Sequence, residues 1–366
     1  MLRSSLEQMN TRPLLYHRRI ERIHPLISPQ QMLEKISVSD TSYQTVLTGR
    51  KEVEAILSGT DDRFLLIAGP CSIHDPASAM DYARRLMCLR NKYRDCFCII
   101  MRVYFEKPRT GLGWRGLIVE PRLDGVIDIT SGLETARKTL SAITELGLPA
   151  ASELLDPIVP QYTADFISWA SIGARSAESQ IHRELASGLS MPVGFKNPTD
   201  GDITTAIHAI VSAREPHAFL GIMQNGSPAV MHTSGNEYAH LVLRGSVHGA
   251  NYGRASIEES CRMLTEQGIR PAILVDCSHD NSQRNPEKQR DILLESLRLR
   301  LEQPQIEAIR GCMLESFIQA GTVPLEHCTE KGEYGKSITD PCMSWEMTDT
   351  LLSEAADIWR YYYEKN

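Results

Sequence analysis

The stretch CIIMRVYFEKPRTGLGWRG (residues 98–116) changes character halfway along its length. It begins as an apolar run of the kind that forms a buried strand. It continues as a cluster of cations, Arg102, Lys107, Arg109 and Arg115. A core strand that leads directly into four positive charges predicts an anionic ligand at its carboxyl end.

The change from an apolar run to polar residues recurs along the chain. Apolar runs of strand length alternate with longer segments of helical periodicity, such as 77–93 and 132–147. Eight strands separated by helices in a chain of 366 residues predict a (β/α)8 TIM barrel. The predicted strands are FLLIAG (64–69), CIIMRVY (98–104), LPAASE (148–153), FISWASIGA (166–174), PVGFK (192–196), HLVLRG (240–245), AILVDC (272–277) and AIRGCMLE (308–315).

Every predicted strand leads to a polar or ionisable residue at its carboxyl end. One charged residue after one strand is usually an ordinary solvated loop residue. Eight in succession are harder to attribute to loop polarity, and barrel enzymes build their active sites at this face. The residues in strand order are Cys71, Arg102, Glu153, Arg175, Lys196, Arg244, His279 and Glu315.

Six cations would meet at this face, and without a partner they would repel one another. Arginine forks bind carboxylates and phosphates, so the ligand is expected to be strongly anionic. The charge count favours two phosphorylated substrates, one with a carboxylate, over a single phosphate. The six are Arg102, Lys107, Arg109, Arg175, Lys196 and Arg244.

A second set of residues at the same face combines sulfur, nitrogen and oxygen donors. Cys71, His279, Glu315 and Asp340 together suit a divalent transition metal. Each also has a plain structural alternative: a small core cysteine, a surface histidine, or an aspartate that caps a helix. Spacing alone leaves these alternatives open, because the chain contains no compact ligand motif.

Composition excludes several classes of protein. The formal net charge of −7 argues against nucleic acid as the main partner. A membrane-spanning helix needs a run of about 18 apolar residues, and the chain has none. The first residues lack the apolar segment of a secretory signal. Nine cysteines at irregular spacing indicate reduced thiols, so we expect a cytoplasmic protein.

The chain divides into an arm and a barrel. Residues 1–60 form a polar, helix-prone arm that is expected to dock on the barrel of the same or a neighbouring subunit. Residues 61–366 form the catalytic barrel. Within it, 218–239 is predicted to be a β-hairpin inserted before the sixth barrel strand. The chain contains no glycine-rich nucleotide loop.

These stretches resemble type I 3-deoxy-D-arabino-heptulosonate 7-phosphate (DAHP) synthases from about residue 15 to 355. The resemblance implies condensation of phosphoenolpyruvate with erythrose 4-phosphate, with release of phosphate, as the first step of the shikimate pathway. It is carried by GPCSIHD (69–75), RVYFEKPRT (102–110), GWRGL (113–117), PQY (160–162), SWASIGAR (168–175), ESQIHRELASGLSMPVGFKN (178–197), TSGN (233–236), LRG (243–245), DCSHDNS (276–282), MLES (313–316) and YGKSITDPC (334–342).

The resemblance also implies roles for individual residues. Arg109 and Thr110 would bind the phosphate of erythrose 4-phosphate. Lys107, Glu153 and Lys196 would be catalytic. Phosphoenolpyruvate would be bound by Arg102, Lys107, Arg175, Lys196 and Arg244. One divalent ion, such as manganese, iron or cobalt, would be bound by Cys71, His279, Glu315 and Asp340.

Control and assembly are further expectations. The acidic pair that is usual in the family's arm is replaced by Tyr16 and His17, neither of which can fix an amino acid's ammonium by charge. We therefore expect weak or no inhibition by phenylalanine, with tryptophan as the first effector to test. An unregulated enzyme is equally compatible with the sequence. A homodimer or homotetramer is expected.

Three alternatives remain open. The chain could be a relative that serves a specialised pathway and uses a modified aldose phosphate. It could be a non-catalytic regulatory relative that keeps the barrel. It could also be a Schiff-base aldolase that uses Lys196, since a lysine inside a barrel can serve that chemistry without a metal.

Overall fold

The computed structural model describes residues 18–109, 111–303, 307–327 and 333–365, and all structural statements concern these residues. Ten strands occur in this part of the chain. They are β1 (Phe64–Gly69), β2 (Phe97–Arg102), β3 (Ala150–Glu153), β4 (Ile167–Ile172), β5 (Val193–Lys196), β6 (Ala218–Ile222), β7 (Pro228–His232), β8 (His240–Leu243), β9 (Ile273–Asp276) and β10 (Ile309–Glu315).

Eight of these strands form one closed parallel barrel in the order β1-β10-β9-β8-β5-β4-β3-β2. The barrel closes at β1, where Leu65 pairs with Gly311 of β10 and with Cys98 of β2. Every residue of the eight barrel strands is buried. Burial on both faces explains why the strands appear in the sequence as continuous apolar runs without alternation. The predicted (β/α)8 barrel is confirmed.

Helices connect and surround the strands. Within the described residues they are α1 (Pro29–Lys35), α2 (Asp40–Ser58), α3 (Pro76–Lys92), α4 (Ile129–Glu145), α5 (Pro160–Thr163), α6 (Gln180–Ser187), α7 (Ile203–Arg214), α8 (Arg254–Glu266), α9 (Lys288–Glu302) and α10 (Trp345–Lys365). None of them is long and apolar enough to cross a bilayer.

Helix α2 closes the amino-terminal end of the barrel. Its buried residues Val53, Ile56 and Leu57 join the apolar cluster that fills the barrel interior. The helix approaches so closely that a Cβ on Gly49 would lie 2.8 Å from the Cβ of Pro149. Helix α2 therefore covers the amino-terminal end of the barrel interior. The boundary of the arm at residue 60 stays a prediction.

Strands β6 and β7 form an antiparallel hairpin that precedes β8, the sixth strand of the barrel. Its register pairs Leu220 with Val230. Between the strands, Gly226 has a φ of 87°, which glycine adopts without strain. The predicted insertion within 218–239 is therefore a short two-stranded sheet.

Candidate active site

Arg102 is the innermost cation of the site. It is the last residue of β2 and is fully buried. Its Nη2 donates to Glu315 Oε1 at 2.9 Å, and its guanidinium carbon lies 3.7 Å from the centre of the Tyr104 ring. Its buried Nη1 has no hydrogen-bond partner among the described residues. An unpartnered buried donor is costly, so this atom is available for a ligand.

Lys107 lies beside Cys71. The Lys107 ammonium donates to the Cys71 sulfur at 3.1 Å, and the backbone N–H of Asp340 donates to the same sulfur at 3.4 Å. Burial and the nearby Glu315 raise the pKa of the Cys71 thiol, while Lys107 opposes them. A second cation at this sulfur would favour the thiolate further, as a metal ion does for a coordinating cysteine.

The structure brings three of the four predicted metal ligands together. Donor atoms of Cys71, Glu315 and Asp340 all lie within 4.8 Å of one another. His279 lies next to this group, with its Nε2 3.7 Å from Glu315 Oε1. A thiol, two carboxylates and an imidazole nitrogen at one barrel end fit a divalent transition metal.

The orientation of His279 also fits a metal site. Its Nδ1 lies 2.9 Å from Asp276 Oδ2, and its backbone has a positive φ of 51°. A carboxylate on the far nitrogen of the ring is the usual support of a metal-binding histidine. His279 and Lys196 hold the pKa of Asp276 well below its ordinary range although burial alone would raise it.

Two more cations lie at the carboxyl ends of β5 and β8. Lys196 donates to Asp276 Oδ2 at 2.9 Å, and both side chains are almost fully buried. Arg244 donates to Asp280 Oδ2 at 2.5 Å and is 5% exposed. In each pair a carboxylate compensates the positive charge inside the barrel mouth.

Glu153 ends β3 and is also buried. Gly173 makes room for it, because a Cβ at that position would lie 2.1 Å from Glu153 Oε1. A larger residue there would displace the carboxylate. The glycine after β4 therefore belongs to the architecture of the site.

The remaining predicted residues are placed differently. Arg175 is exposed, three residues beyond the end of β4. Arg109 is exposed too, and its Nε donates to the carbonyl of Trp114 at 2.7 Å. Thr110 lies outside the described residues, as do Tyr16 and His17. Their predicted roles stay predictions.

Sequence reasoning identified Glu315 and Cys71, which contact Arg102 and Lys107, but missed the other residues that contact the cations. Tyr104, which stacks on Arg102, was assigned only to a strand. Asp276 and Asp280 were quoted within DCSHDNS without a role. The available signal was their position at the carboxyl end of β9, where two acids could have been matched against the excess of cations.

Comparison with known proteins identifies the family of the chain. The family model described as the DAHP synthetase I family matches residues 35–353. A Phe-sensitive phospho-2-dehydro-3-deoxyheptonate aldolase of Escherichia coli is 47% identical over 343 residues, which cover 93% of this chain and 96% of that protein. A Tyr-sensitive aldolase of the same name and organism is 45% identical over 329 residues, with coverage of 90% and 92%.

A solved structure of a relative has the same fold. The phospho-2-dehydro-3-deoxyheptonate aldolase from Francisella tularensis SCHU S4 superposes with a TM-score of 0.89 at 42% sequence identity. The match covers 93% of this chain and 98% of that one. The similarity therefore extends over the whole barrel.

Proposed function

Because the chain belongs to the DAHP synthetase I family, we propose that it condenses phosphoenolpyruvate with erythrose 4-phosphate to DAHP and phosphate. This reaction is the first step of the shikimate pathway. The observation that carries the proposal is the 3.1 Å contact between Lys107 and Cys71. This contact supports the proposal, because the cation that we assign to an anionic substrate lies directly against the donors that we assign to the metal.

The cations have one task in this proposal, which is to bring two phosphorylated molecules together. Arg102, Lys107, Lys196 and Arg244 would hold the phosphate and carboxylate of phosphoenolpyruvate, with Arg175 reaching in from its exposed loop. Arg109 and Thr110 would hold the phosphate of the aldose. Positioning two anions that otherwise repel each other is a large part of such catalysis.

Bond changes in the proposed reaction balance without an oxidant or reductant. Carbon 3 of phosphoenolpyruvate bonds to the aldehyde carbon, whose oxygen takes a proton and becomes a hydroxyl. Water adds at carbon 2, and inorganic phosphate leaves from the hemiketal as its carbon–oxygen bond breaks. Lys107 and Glu153 are the groups of this chain that we assign to moving the protons or orienting the water.

A divalent ion completes the proposal. Cys71, Glu315, Asp340 and His279 would hold it, and when bound it would supply Lewis-acid polarisation of the aldehyde. Its identity among manganese, iron and cobalt is part of what a metal-replacement experiment would determine.

Phosphoenolpyruvate, the aldose phosphate and the metal can be tested together. The purified protein should form a seven-carbon sugar phosphate, detected by mass spectrometry, and a chelator should abolish the product. Borohydride with substrate should leave Lys196 unmodified, because no Schiff base forms. Trapping of substrate on Lys196, with activity that survives chelation, would replace this proposal with the Schiff-base aldolase.

We extend the proposal to an aromatic amino acid effector. Known relatives carry the names Tyr-, Phe- and Trp-sensitive. From the sequence we expect tryptophan to inhibit initial rates more than phenylalanine does. Separate titrations of phenylalanine, tyrosine and tryptophan test this, and strong phenylalanine inhibition at low micromolar concentration would contradict it.

A homo-oligomer in the cytoplasm is also part of the proposal. Leu220 and Val230 leave an apolar pair exposed on the hairpin, and apolar surface of this kind marks contact sites in oligomers. Eight cysteines of the described residues are free thiols, which suits a reducing compartment. Light scattering on the purified protein gives the oligomeric state.

A further inference from the structure

A single carboxylate oxygen connects the two halves of the site. Asp276 Oδ2 lies 2.9 Å from Lys196 Nζ and 2.9 Å from His279 Nδ1. Asp276 is fully buried, so water does not compete for that oxygen. The cation assigned to phosphoenolpyruvate and the imidazole assigned to the metal thus share one acceptor.

The other oxygen of Asp276 is fixed by Ser278. The backbone N–H and the hydroxyl of Ser278 donate to Asp276 Oδ1 at 3.0 and 2.7 Å. The Ser278 oxygen also lies 2.8 Å from His279 Nδ1. Because the hydroxyl of Ser278 donates its hydrogen to Asp276, the oxygen of that hydroxyl can only accept from the His279 ring. Both acceptors around Nδ1 therefore require Nδ1 to be a donor. When the ring is neutral, Nε2, on the side of Glu315, is the nitrogen that can bind a metal.

We propose that Asp276 is a positioning residue that couples phosphoenolpyruvate binding to metal binding, so that each ligand strengthens the other. This inference rests on the proposed function of the site. Asp276 holds His279 in the metal-binding tautomer and Lys196 in the substrate-binding position. It touches neither ligand itself.

The expected sign of the coupling follows from the shared oxygen. An anionic substrate at Lys196 takes up part of the ammonium's charge, which leaves more of the Asp276 charge to polarise His279. A more polarised imidazole is a better metal ligand. In the reverse direction, a metal on His279 strengthens the Nδ1–H donor, which loosens the hold of Asp276 on Lys196. Reciprocity requires the same factor in both directions.

The experiment uses the metal-depleted full-length protein with Co²⁺ as the metal probe. Binding is followed by the absorption of the cobalt–thiolate bond, with and without saturating phosphoenolpyruvate. We expect phosphoenolpyruvate to tighten Co²⁺ binding at least about fivefold, and Co²⁺ to tighten phosphoenolpyruvate binding by the same factor. In Asp276→Asn, Co²⁺ affinity should fall about 10–100-fold and the coupling factor should fall to one.

Two further variants separate positioning from general damage. Ser278→Ala keeps the contact of Asp276 with Lys196 but removes one acceptor at His279, so Co²⁺ affinity should fall while phosphoenolpyruvate affinity is unchanged. Asp165→Asn is the matched control. Asp165 pairs with the buried Arg137 near the start of β4, far from the site. It should leave both affinities and the coupling factor as in the wild type.

The outcomes distinguish the inference from the proposed function. A wild-type protein that binds neither Co²⁺ nor phosphoenolpyruvate would overturn the proposed function. Normal binding of both, with an unchanged coupling factor in Asp276→Asn, would overturn the role of Asp276 alone. If Asp276→Asn does not fold, Ser278→Ala decides: equal loss of both affinities there would contradict the inference.

Discussion

The two ends of the barrel both contain buried or half-buried charges, but the charges have different neighbours. At the carboxyl end, Arg102 keeps one buried Nη1 without a partner in the described part of the chain. At the amino end, Glu52 accepts from two arginines, Arg63 at 3.1 Å and Arg90 at 2.6 Å. Glu52 is thus saturated. The amino end also has buried donors without a partner, Arg300 Nε and Arg310 Nε, but no group of metal-type ligands lies beside them in the described residues.

A second pair at the amino end shows the same saturation. Arg137 is fully buried and meets Asp165 with two parallel contacts of 2.6 and 2.7 Å. Such bidentate pairs are specific. The Nε of Arg137 also donates to the Ile36 carbonyl at 2.8 Å, so each nitrogen of its guanidinium has a partner. The comparison teaches that an unpartnered buried donor points to function where other ligand-binding groups converge on it, as Cys71, Glu315 and Lys107 do around Arg102. In this barrel the convergence occurs at the carboxyl face, where barrel enzymes build their active sites.

The largest expected effect is at the carboxyl end, in Cys71→Ala. The variant loses the soft ligand of the metal group, so activity should fall more than about 100-fold and metal content should drop. Elemental analysis and initial rates with added Mn²⁺ measure both. Circular dichroism should show an intact barrel, because the side chain is small. Full activity of the metal-depleted variant would remove Cys71 from the site.

Arg175→Lys tests whether an exposed cation of the same face binds substrate. Lysine keeps the charge but loses the planar fork that pairs with two oxygens. We expect the KM for phosphoenolpyruvate to rise about tenfold or more, with a smaller change for erythrose 4-phosphate. Steady-state kinetics with each substrate varied in turn provide the comparison. Equal losses on both substrates would indicate a structural role.

Glu52→Gln tests the amino end by leaving Arg63 and Arg90 without their shared anion. The free energy of unfolding should fall by about 2 kcal/mol, less than for a fully buried pair because Glu52 is 18% exposed. Urea unfolding at fixed protein concentration measures the loss. Both KM values should stay unchanged. A shifted KM with unchanged stability would reverse the proposed division between the two ends.

His240 offers the smallest and most specific test. Its Nε2 accepts from Trp169 at 3.1 Å, and burial lowers its pKa to about 4. In the unfolded chain His240 takes up a proton as the pH falls below about 6.5, whereas in the folded chain it stays neutral until about pH 4. The free energy of unfolding should therefore decrease as the pH falls from 6.5 toward 4. The contribution is at most about 1.4 kcal/mol per pH unit.

The matched variant for this pH effect is His240→Gln, whose amide oxygen can still accept from Trp169. All other titrating groups are shared, so the difference in pH slope between the two proteins isolates His240. Urea unfolding from pH 6.5 to 5 should show the flatter dependence in His240→Gln. Identical slopes would show that His240 binds its proton equally well in the folded and the unfolded protein, so that its pKa is not lowered by folding.

Sequence patterns were sufficient for the barrel because each strand is buried on both faces. The predicted ends of the strands lie within three residues of the observed ones, and the shared carboxyl face followed from topology. Sequence patterns were not sufficient to predict which charged side chains pair with one another. Nothing in the spacing of DCSHDNS indicates that Asp276 pairs with Lys196, 80 residues away in the chain. Such pairs depend on which strands become neighbours and on distances of a few ångströms.

The amino end was harder to predict for a related reason. Helix α2 belongs to a segment that is polar overall, and its apolar residues are few. Val53, Ile56 and Leu57 become core residues only because the open end of the barrel needs a cover. The average composition of residues 1–60 does not reveal that one face of a single helix in this segment is apolar and buried.

The central claim is that the carboxyl end joins phosphoenolpyruvate and an aldose phosphate with a bound metal. The most direct measurement follows phosphoenolpyruvate consumption and phosphate release by purified protein, with erythrose 4-phosphate and Mn²⁺ each added or omitted. We predict one phosphate released per phosphoenolpyruvate consumed, and only when all three are present. Phosphate release without the aldose, or undiminished release after removal of metal, would contradict the account.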